Sequence, residues 1–561
     1  MKPMQKISVV AGGLALLFSY QNCAPGFTAE SVVQKAFSSG GFSSTAPDVV
    51  PAAVNFKSFP SDYFTVTPTT PISMDDVTLQ LTTKGDFQVV NAGGTILWHS
   101  NTAAACDANC SVRLQGDGNM VLNTPAGVIW STATYNQYGS SLLFSSTGTY
   151  LTLRDGQYKV IWTSGGDGSP GLMVASRTNK ASSAYDFLMS LGIGTHVDQG
   201  IDSVDNIIAH TQVLGIRNIR DHGQPGLIES FRRIVGAGIN LNLIAHTEDH
   251  AQLVKDFIDY VQLSPGRVTS LEGPNEINNW PVACGGLSFS PGWPNDGGPA
   301  GDCFMKNMFT KIRAQSALNG IPVYDLTGGV SARNADTYGL LSLAGHADYG
   351  NVHIYPSPLL PASGQMLAGL AASYLSLLPS KAVITETGYT TEAGKGVSPR
   401  AQALLTLNIF LDAFQLGYHQ TFAYTMSDDG ESFGFYDRSQ NPKPVVAAMH
   451  NLTTILADGP PVAAPGTLAY TLTLPTKGRS LLLQKSNGHY FLVLWNEEPV
   501  WNGSGDLAPA AQAIAVKFAN PVSGLRVYNP FAGTAALTDL GVTANFQGSL
   551  AAEPQILEII P

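Results

Sequence analysis

Residues 271–280 read LEGPNEINNW: an apolar lead-in, a Gly-Pro break, then Asn275 and Glu276 side by side. A related phrase, AVITETGY, stands at 382–389, where Glu386 closes another apolar run. Short apolar runs bounded by turn residues are consistent with strands buried on both faces, so each Glu stands where a strand would spill into a loop. Working outward from VTSLEGPNE (268–276) and AVITETGY, similar runs occur at IGTHVD (193–198), IRNIRDH (216–222), INLNLIAH (239–246), IPVYDLTGG (321–329), YGNVHIY (349–355) and QTFAYTMSDD (420–429). Helical patterns separate them. Val204, Ile207, Ile208 and Leu214 share one helical face, while Ser398, Pro399 and Gly417 read as the cap, first turn and stop of a helix carrying Leu404, Leu407 and Leu411. Strands alternating with helices in this way predict a (β/α)8 TIM barrel over 172–458.

A TIM barrel builds its site at the C-terminal ends of the strands. Those ends carry Arg220, His246, Asn275, Glu276, His353, Tyr355, Glu386 and Tyr424, with Asp428 and Asp429 beyond. A lone Glu at a strand end is ordinarily a solvated loop residue, and a lone Arg or His there has an equally plain explanation. The set is what points to chemistry. Two carboxyls converging from different strands suit the cleavage of a glycosidic bond, in which one protonates the leaving oxygen and the other attacks the anomeric carbon.

This arrangement resembles the clan A glycoside hydrolases, (β/α)8 barrels with Asn-Glu after the fourth strand and a nucleophilic Glu at the seventh. The resemblance implies retaining hydrolysis, with Glu276 as acid/base and Glu386 as nucleophile. It also implies that Arg220 and Tyr355 hydrogen-bond Glu386, that Asn275 holds the sugar 2-hydroxyl and that His353 supports the nucleophile or the sugar, with His246 and Tyr424 as further supporting residues. A guanidinium and a phenol donor beside Glu386 would keep it ionised. The eighth strand departs from the pattern, because AYTMSDDG lacks the Trp that many members carry and leaves Tyr424 or Met426 in its place. HTEDH (246–250) sets His246 and His250 around Glu248, but it leaves a strand rather than lying in a helix, so no metal is read there. No cofactor is called for.

Upstream, Trp98, Trp130 and Trp162 stand at equal intervals, each closing a similar phrase: GGTILWHS, AGVIWST and YKVIWTS. Alternating runs with Gly turns precede them, as in VRLQGDGNMVLN. Three β-units that cannot bury their faces singly predict a pseudo-threefold β-prism with the Trp residues as its core. The span 60–165 resembles the bulb-type mannose-binding lectins, whose site motif is Gln-x-Asp-x-Asn-x-Val-x-Tyr. The second unit matches with Gln115, Asp117, Asn119 and Val121, but Asn123 replaces the Tyr. At equal spacing the first unit offers Thr83, Gly85, Phe87 and Val89, and the third Thr147, Thr149, Leu151 and Leu153. Two sites therefore read as lost. The resemblance implies mannose-containing glycans as partners of the remaining one; otherwise the prism is a spacer whose QGDGN is a polar turn.

From 459 to 561 the pattern is strands alone, which predicts a β-sandwich. At the other end, Lys2 and Lys6 precede an apolar run from Ile7 to Phe18, an export signal over 1–22. Cys23 follows, and YQNCAPG resembles a bacterial lipoprotein signal with Cys23 lipidated, despite Tyr20, Gln21 and Asn22. The segment 23–59, rich in Ser, Thr, Pro, Ala and Gly, reads as a flexible tether. Besides Cys23 the cysteines are Cys106, Cys110, Cys284 and Cys303. Local pairing, Cys106 with Cys110 and Cys284 with Cys303, is the simplest choice in an exported protein.

Only 13% of residues are charged and the net charge is −11, so the basic footprint of a nucleic-acid binder is missing. The reading that emerges is an exported, lipid-tethered glycoside hydrolase cleaving a β-linked polysaccharide or oligosaccharide, touching a membrane only through its anchor. Its competitor is a surface carbohydrate-binding adhesin whose barrel has lost turnover.

Overall fold

The computed structural model describes residues 56–561 apart from 61–63, 101, 103–105, 107–108, 117, 126, 133, 135–140, 147–149, 155–159, 165–176, 278, 281, 289–296, 329–345, 360, 364–365, 367–381 and 476. The export signal (1–22), Cys23 and most of the tether (23–59) lie outside these residues.

Eight parallel strands form the central sheet: β1 (Leu191–Gly194), β2 (Asn218–His222), β3 (Asn240–Ile244), β4 (Val268–Glu272), β5 (Val323–Tyr324), β6 (Gly350–His353), β7 (Ala382–Thr387) and β8 (Thr421–Ala423). β2 to β8 each fall within one of the apolar runs read from the sequence, while β1 starts two residues before its run, at Leu191, and ends inside it. The order is β5-β4-β3-β2-β1-β8-β7-β6, and a parallel bridge from Tyr324 to Tyr349 brings β5 against the start of β6. The sheet is thus a nearly closed barrel. Helix Val204–Leu214 buries Ile207, Thr211 and Leu214 against it. Helix Pro399–Gln415 starts where Ser398 accepts from the Ala401 amide at 3.0 Å, and it stops before Gly417, whose φ of 89° favours glycine.

Three four-stranded antiparallel sheets make the N-terminal prism, each closing on a Trp-bearing strand: Ile96–His99, Gly127–Ser131 and Val160–Thr163. The rings of Trp98, Trp130 and Trp162 meet edge to face with centroids 5.8–6.3 Å apart, the arrangement that aromatic quadrupoles prefer. The prism begins earlier than the sequence suggests. Phe56–Pro60 pairs with Ser141–Ser145, so the last residues assigned to the tether belong to a sheet, and Phe59 packs against the prism core.

The register of the repeat also needs correcting. The amide of Met120 donates to the Thr132 hydroxyl, as Phe87 does to Ser100 and Leu151 to Ser164. Hence Asn119 corresponds to Asp86 and Tyr150, not to Phe87 and Leu151. The Trp spacing hides this because the hairpin before Trp130 is one residue shorter than its two counterparts, which cancels the offset on either side.

Two sheets form the C-terminal sandwich. Residues 177–183, placed by the sequence reading at the head of the barrel span, pair with sandwich strands instead: Arg177–Lys180 with Thr467–Thr473, and Ser182–Ser183 with Gly478–Gln484. RTNK and SS carry no apolar alternation, and their partners lie far along the chain. A polar network joins the sandwich to the helix Pro399–Gln415. Trp495 Nε1 donates to Asp412 Oδ1 at 3.0 Å, Gln415 Nε2 donates to the Ser480 carbonyl, and Arg479 donates to Gln415. Asp412 is fully buried; burial and the charge of Glu497 push its carboxyl well above the usual range. Both cysteine pairs are bridged, with Cα atoms 5.5 Å apart for Cys106–Cys110 and 5.8 Å for Cys284–Cys303.

Candidate active site

The loop after β4 is shaped by close approach. A Cβ on Gly273 would meet Met305 Sδ at 2.4 Å and the Leu326 amide at 2.8 Å, so only glycine lets the strand end lie this near the next one. Thr327 then clamps the loop: its hydroxyl accepts from the Glu276 amide at 3.0 Å, and its amide donates to the Pro274 carbonyl at 3.1 Å. Glu276 is held at φ 43°, a left-handed conformation that costs a non-glycine residue about 1–3 kcal/mol and tends to persist at functional sites. The clamp turns its side chain toward the barrel axis.

Around that axis the structure gathers six of the residues singled out from the sequence. A carboxylate oxygen of Glu276, one of Glu386 and a ring nitrogen of His353 lie within 4.8 Å of one another. Arg220 Nη1 donates to Glu386 Oε1 at 2.7 Å, and Tyr355 Oη donates to Glu386 Oε2 at 2.7 Å. Arg220 Nη2 also donates to Asn275 Oδ1 at 2.7 Å. His353 Nδ1 sits 2.9 Å from Glu276 Oε1 and 3.5 Å from Glu386 Oε2. Burial alone would push the Glu386 carboxyl up. The charges of His353 and Arg220, with hydrogen bonds from Tyr355 and Arg220, outweigh it and hold the group at about 2. Glu386 is therefore ionised at neutral pH.

Two sequence-read residues stand apart from this centre. His246 Nε2 is 3.1 Å from Asp256 Oδ2, and its burial pushes the imidazole pKa down. His250 Nε2 faces the Phe304 carbonyl, so the two His of HTEDH serve different partners. Tyr424 lies at the rim, its ring edge-on to Tyr355 at 6.4 Å and Phe433 at 5.7 Å, with its hydroxyl donating to Asp429. Met426, the alternative for this position, is buried in the barrel core. A second potential ion-holding group, Asp198, Asp221 and His222, lies at the ends of β1 and β2, but His222 Nδ1 is already 3.2 Å from Asp198 Oδ2.

Sequence reasoning missed four residues. Glu272, fully buried on β4, accepts from Arg220 Nε at 2.9 Å and Nη2 at 2.8 Å. It fixes the guanidinium that in turn fixes Glu386. Asn279 Nδ2 donates to Glu276 Oε2 at 2.8 Å. Asn351 and Thr385 link Glu272 to His353. A signal for Glu272 was present: a carboxylate inside an apolar run needs a buried partner, and Arg220 was the matching cation.

In the prism, Asn119 Oδ1 accepts from the Thr132 hydroxyl and the Thr134 amide, both at 3.2 Å. Asp86 makes the same clasp with Ser100 and Thr102. Gln115 is exposed, Val121 is buried, and Asp117 lies outside the described residues.

No family model matches the chain, and no curated protein matches it. Among solved structures it is similar to a glucosidase from Croceicoccus marinus at 11% identity, covering 69% of this chain and 97% of the other with a TM-score of 0.45. It is also similar to an endo-β1,6-glucanase at 10% identity, covering 68% and 93% with a TM-score of 0.43. A monomeric mannose-binding lectin from Gastrodia elata aligns at 15% identity over 20% of this chain and 98% of its own, with a TM-score of 0.17.

Proposed function

We propose that the protein is a retaining glycoside hydrolase that cleaves a β-linked polysaccharide or oligosaccharide. The observation that carries this reading is the approach of the Glu276 and Glu386 carboxylate oxygens to within 4.8 Å. Retaining enzymes hold their carboxyl groups about 5–5.5 Å apart so that one can attack directly, whereas inverting enzymes leave about 6.5–9.5 Å for a water.

In the first step Glu386 attacks the anomeric carbon, the bond to the leaving oxygen breaks, and that oxygen takes the proton of Glu276. In the second, water attacks the glycosyl–Glu386 ester, its proton passes to Glu276, and Glu386 departs as a carboxylate. Arg220 and Tyr355 stabilise the nucleophile's charge, and Asn275, pinned by Arg220, is placed for the sugar 2-hydroxyl. The intact set of Glu276, Glu386, Arg220 and Tyr355 favours turnover over a purely adhesive role.

The prism would raise the local concentration of glycan by tethering, with mannose-containing glycans as the class to test on the unit that holds Gln115 and Asn119. Export with lipidation at Cys23 completes the reading; fatty-acid labelling that persists in Cys23→Ser would remove the anchor from it. The function itself is tested by product release from a panel of β-linked glycans, comparing wild type with Glu386→Gln. Release that collapses in the variant supports the reading. A product of inverted anomeric configuration, or glycan binding with no cleavage by either protein, overturns it.

A further inference from the structure

The segment after β6 carries Tyr355, and its far end is held by the sandwich. Strand Tyr490–Asn496 of the sandwich ends directly before Glu497. Glu497 Oε1 accepts from the Ser363 amide at 3.0 Å, and its Oε2 accepts from the Ser363 hydroxyl at 2.6 Å. Both residues are buried. Arg479 Nε lies 4.0 Å from Glu497 Oε2 and 3.6 Å from Asp412 Oδ1, so one guanidinium faces both carboxyls. A buried charge is costly unless it is paired and hydrogen-bonded. Here both oxygens are committed to one residue of the barrel span, which fixes that residue in place and in orientation. A well-packed apolar contact often stabilises a seam as well as a buried charge does; what the carboxylate adds is direction.

Between Tyr355 and Ser363 the chain has little freedom. Pro356, Pro358 and Pro361 each lock φ, and the Ser357 hydroxyl accepts from the Leu359 amide at 3.3 Å. The apolar contacts run the same way. Ala362, beside Ser363, and Ile354, beside Tyr355, belong to one buried cluster that also takes in Val500 of the sandwich. The Ile354 amide donates to the Glu386 carbonyl at 3.0 Å. The segment is thus a short strut with one end on the nucleophile's strand and the other on Glu497. Tyr418 Oη holds the chain beyond the strut, at the Met366 carbonyl. From the strut the Tyr355 hydroxyl reaches Glu386 Oε2 at 2.7 Å, a bond that weakens steeply when distance or angle is lost.

We propose that Glu497 is a positioning residue: by clamping Ser363 it sets the strut that aims the Tyr355 hydroxyl at Glu386, so the sandwich takes part in building the barrel's site. The effect on turnover rests on the hydrolase reading; the placement of Tyr355 does not.

Fluorine NMR of protein labelled with 3-fluorotyrosine reads that placement, with the Tyr355 signal assigned by its loss in Tyr355→Phe. Glu497→Ala should shift or broaden the signal. Ser363→Ala removes one of the two bonds and leaves the carboxyls and Arg479 in place, so it should move the signal by less, and it decides the matter should Glu497→Ala not fold. Glu498→Ala takes the neighbouring carboxylate from Lys477 and should leave the signal where it is. A signal unmoved in the clamp variants that fold, or moved equally by Glu498→Ala, overturns the proposal. Kinetics on a substrate from the glycan panel give the second arm. Glu497→Ala should lower kcat about tenfold with KM little changed, because a misplaced donor fails the transition state more than the bound substrate. In the Tyr355→Phe background the same substitution should change kcat less than about twofold, since the hydroxyl it positions is gone. Losses that multiply in the double variant overturn the role. If no protein turns over any substrate, the hydrolase reading fails, and the fluorine spectra still decide the placement.

Discussion

Glu386→Gln removes one charge while keeping the shape of the side chain, and it should destabilise the fold as well as stop turnover. In the folded protein the carboxyl is held at about 2 against an ordinary value of 4.5. Each unit corresponds to about 1.4 kcal/mol, so the ionised form gains on the order of 3 kcal/mol from its surroundings at neutral pH. Burial opposes that gain, and His353, Arg220 and Tyr355 supply it. The sign follows from the lowered value. The stabilisation is fully present above about 4.5, shrinks as the pH falls through the interval, and is gone below about 2. Chemical denaturation of both proteins, followed by circular dichroism from pH 7 to pH 2, measures it. Wild type should exceed the variant by roughly 3 kcal/mol at pH 7, with the gap closing below pH 4.5. A variant as stable as wild type at pH 7, or a gap that widens in acid, would refute the electrostatic argument even if activity were lost.

Other expectations follow from the same geometry. Arg220→Met leaves Glu272 and Glu386 without their cation, which should cost about 3–5 kcal/mol, and adding Glu272→Met should recover part of it; a single-variant loss below about 1 kcal/mol in denaturant titration would contradict the buried pairing. Tyr355→Phe removes one donor from the nucleophile, so the acid limb of the kcat/KM profile should move to higher pH and kcat should fall about 10²-fold. An unmoved limb would mean that the phenol does not act on Glu386. Trp130→Ala, at a partly buried ring, should destabilise the prism by about 1–3 kcal/mol while leaving turnover of short soluble substrates unchanged, as read by calorimetry beside an activity assay.

The barrel was legible because parallel strands covered on both faces are largely apolar, and eight short runs of that kind stand out against the helical patterns between them. The strand ends then located Glu276, Glu386, Arg220, His353 and Tyr355 without any knowledge of distance. Glu272, Asn351 and Thr385 stayed hidden because inward-facing polar residues on a strand look the same in sequence as half-exposed ones; only their convergence, across strands far apart in the chain, gives them meaning. Repeat register failed for a different reason. The Trp residues mark where each unit closes, and a one-residue change in a hairpin moves every other position without disturbing them. RTNKASS was illegible because its pairing partners begin nearly three hundred residues later, and pairing over such a span leaves no local trace.

The placement of 177–183 has a consequence for how this chain can be cut and recombined. The barrel enters from strands of the sandwich and returns to strands of the same sandwich, so in topological terms it is a guest inserted into a host. Ending the chain after the last barrel helix would strip Arg177–Lys180 and Ser182–Ser183 of their partners and bare Asp412 and Gln415 where Trp495, Arg479 and Ser480 now cover them. A barrel excised for engineering must therefore take both flanks with it, and a graft that replaces the prism must refill the place of Leu143, which packs among barrel and sandwich residues.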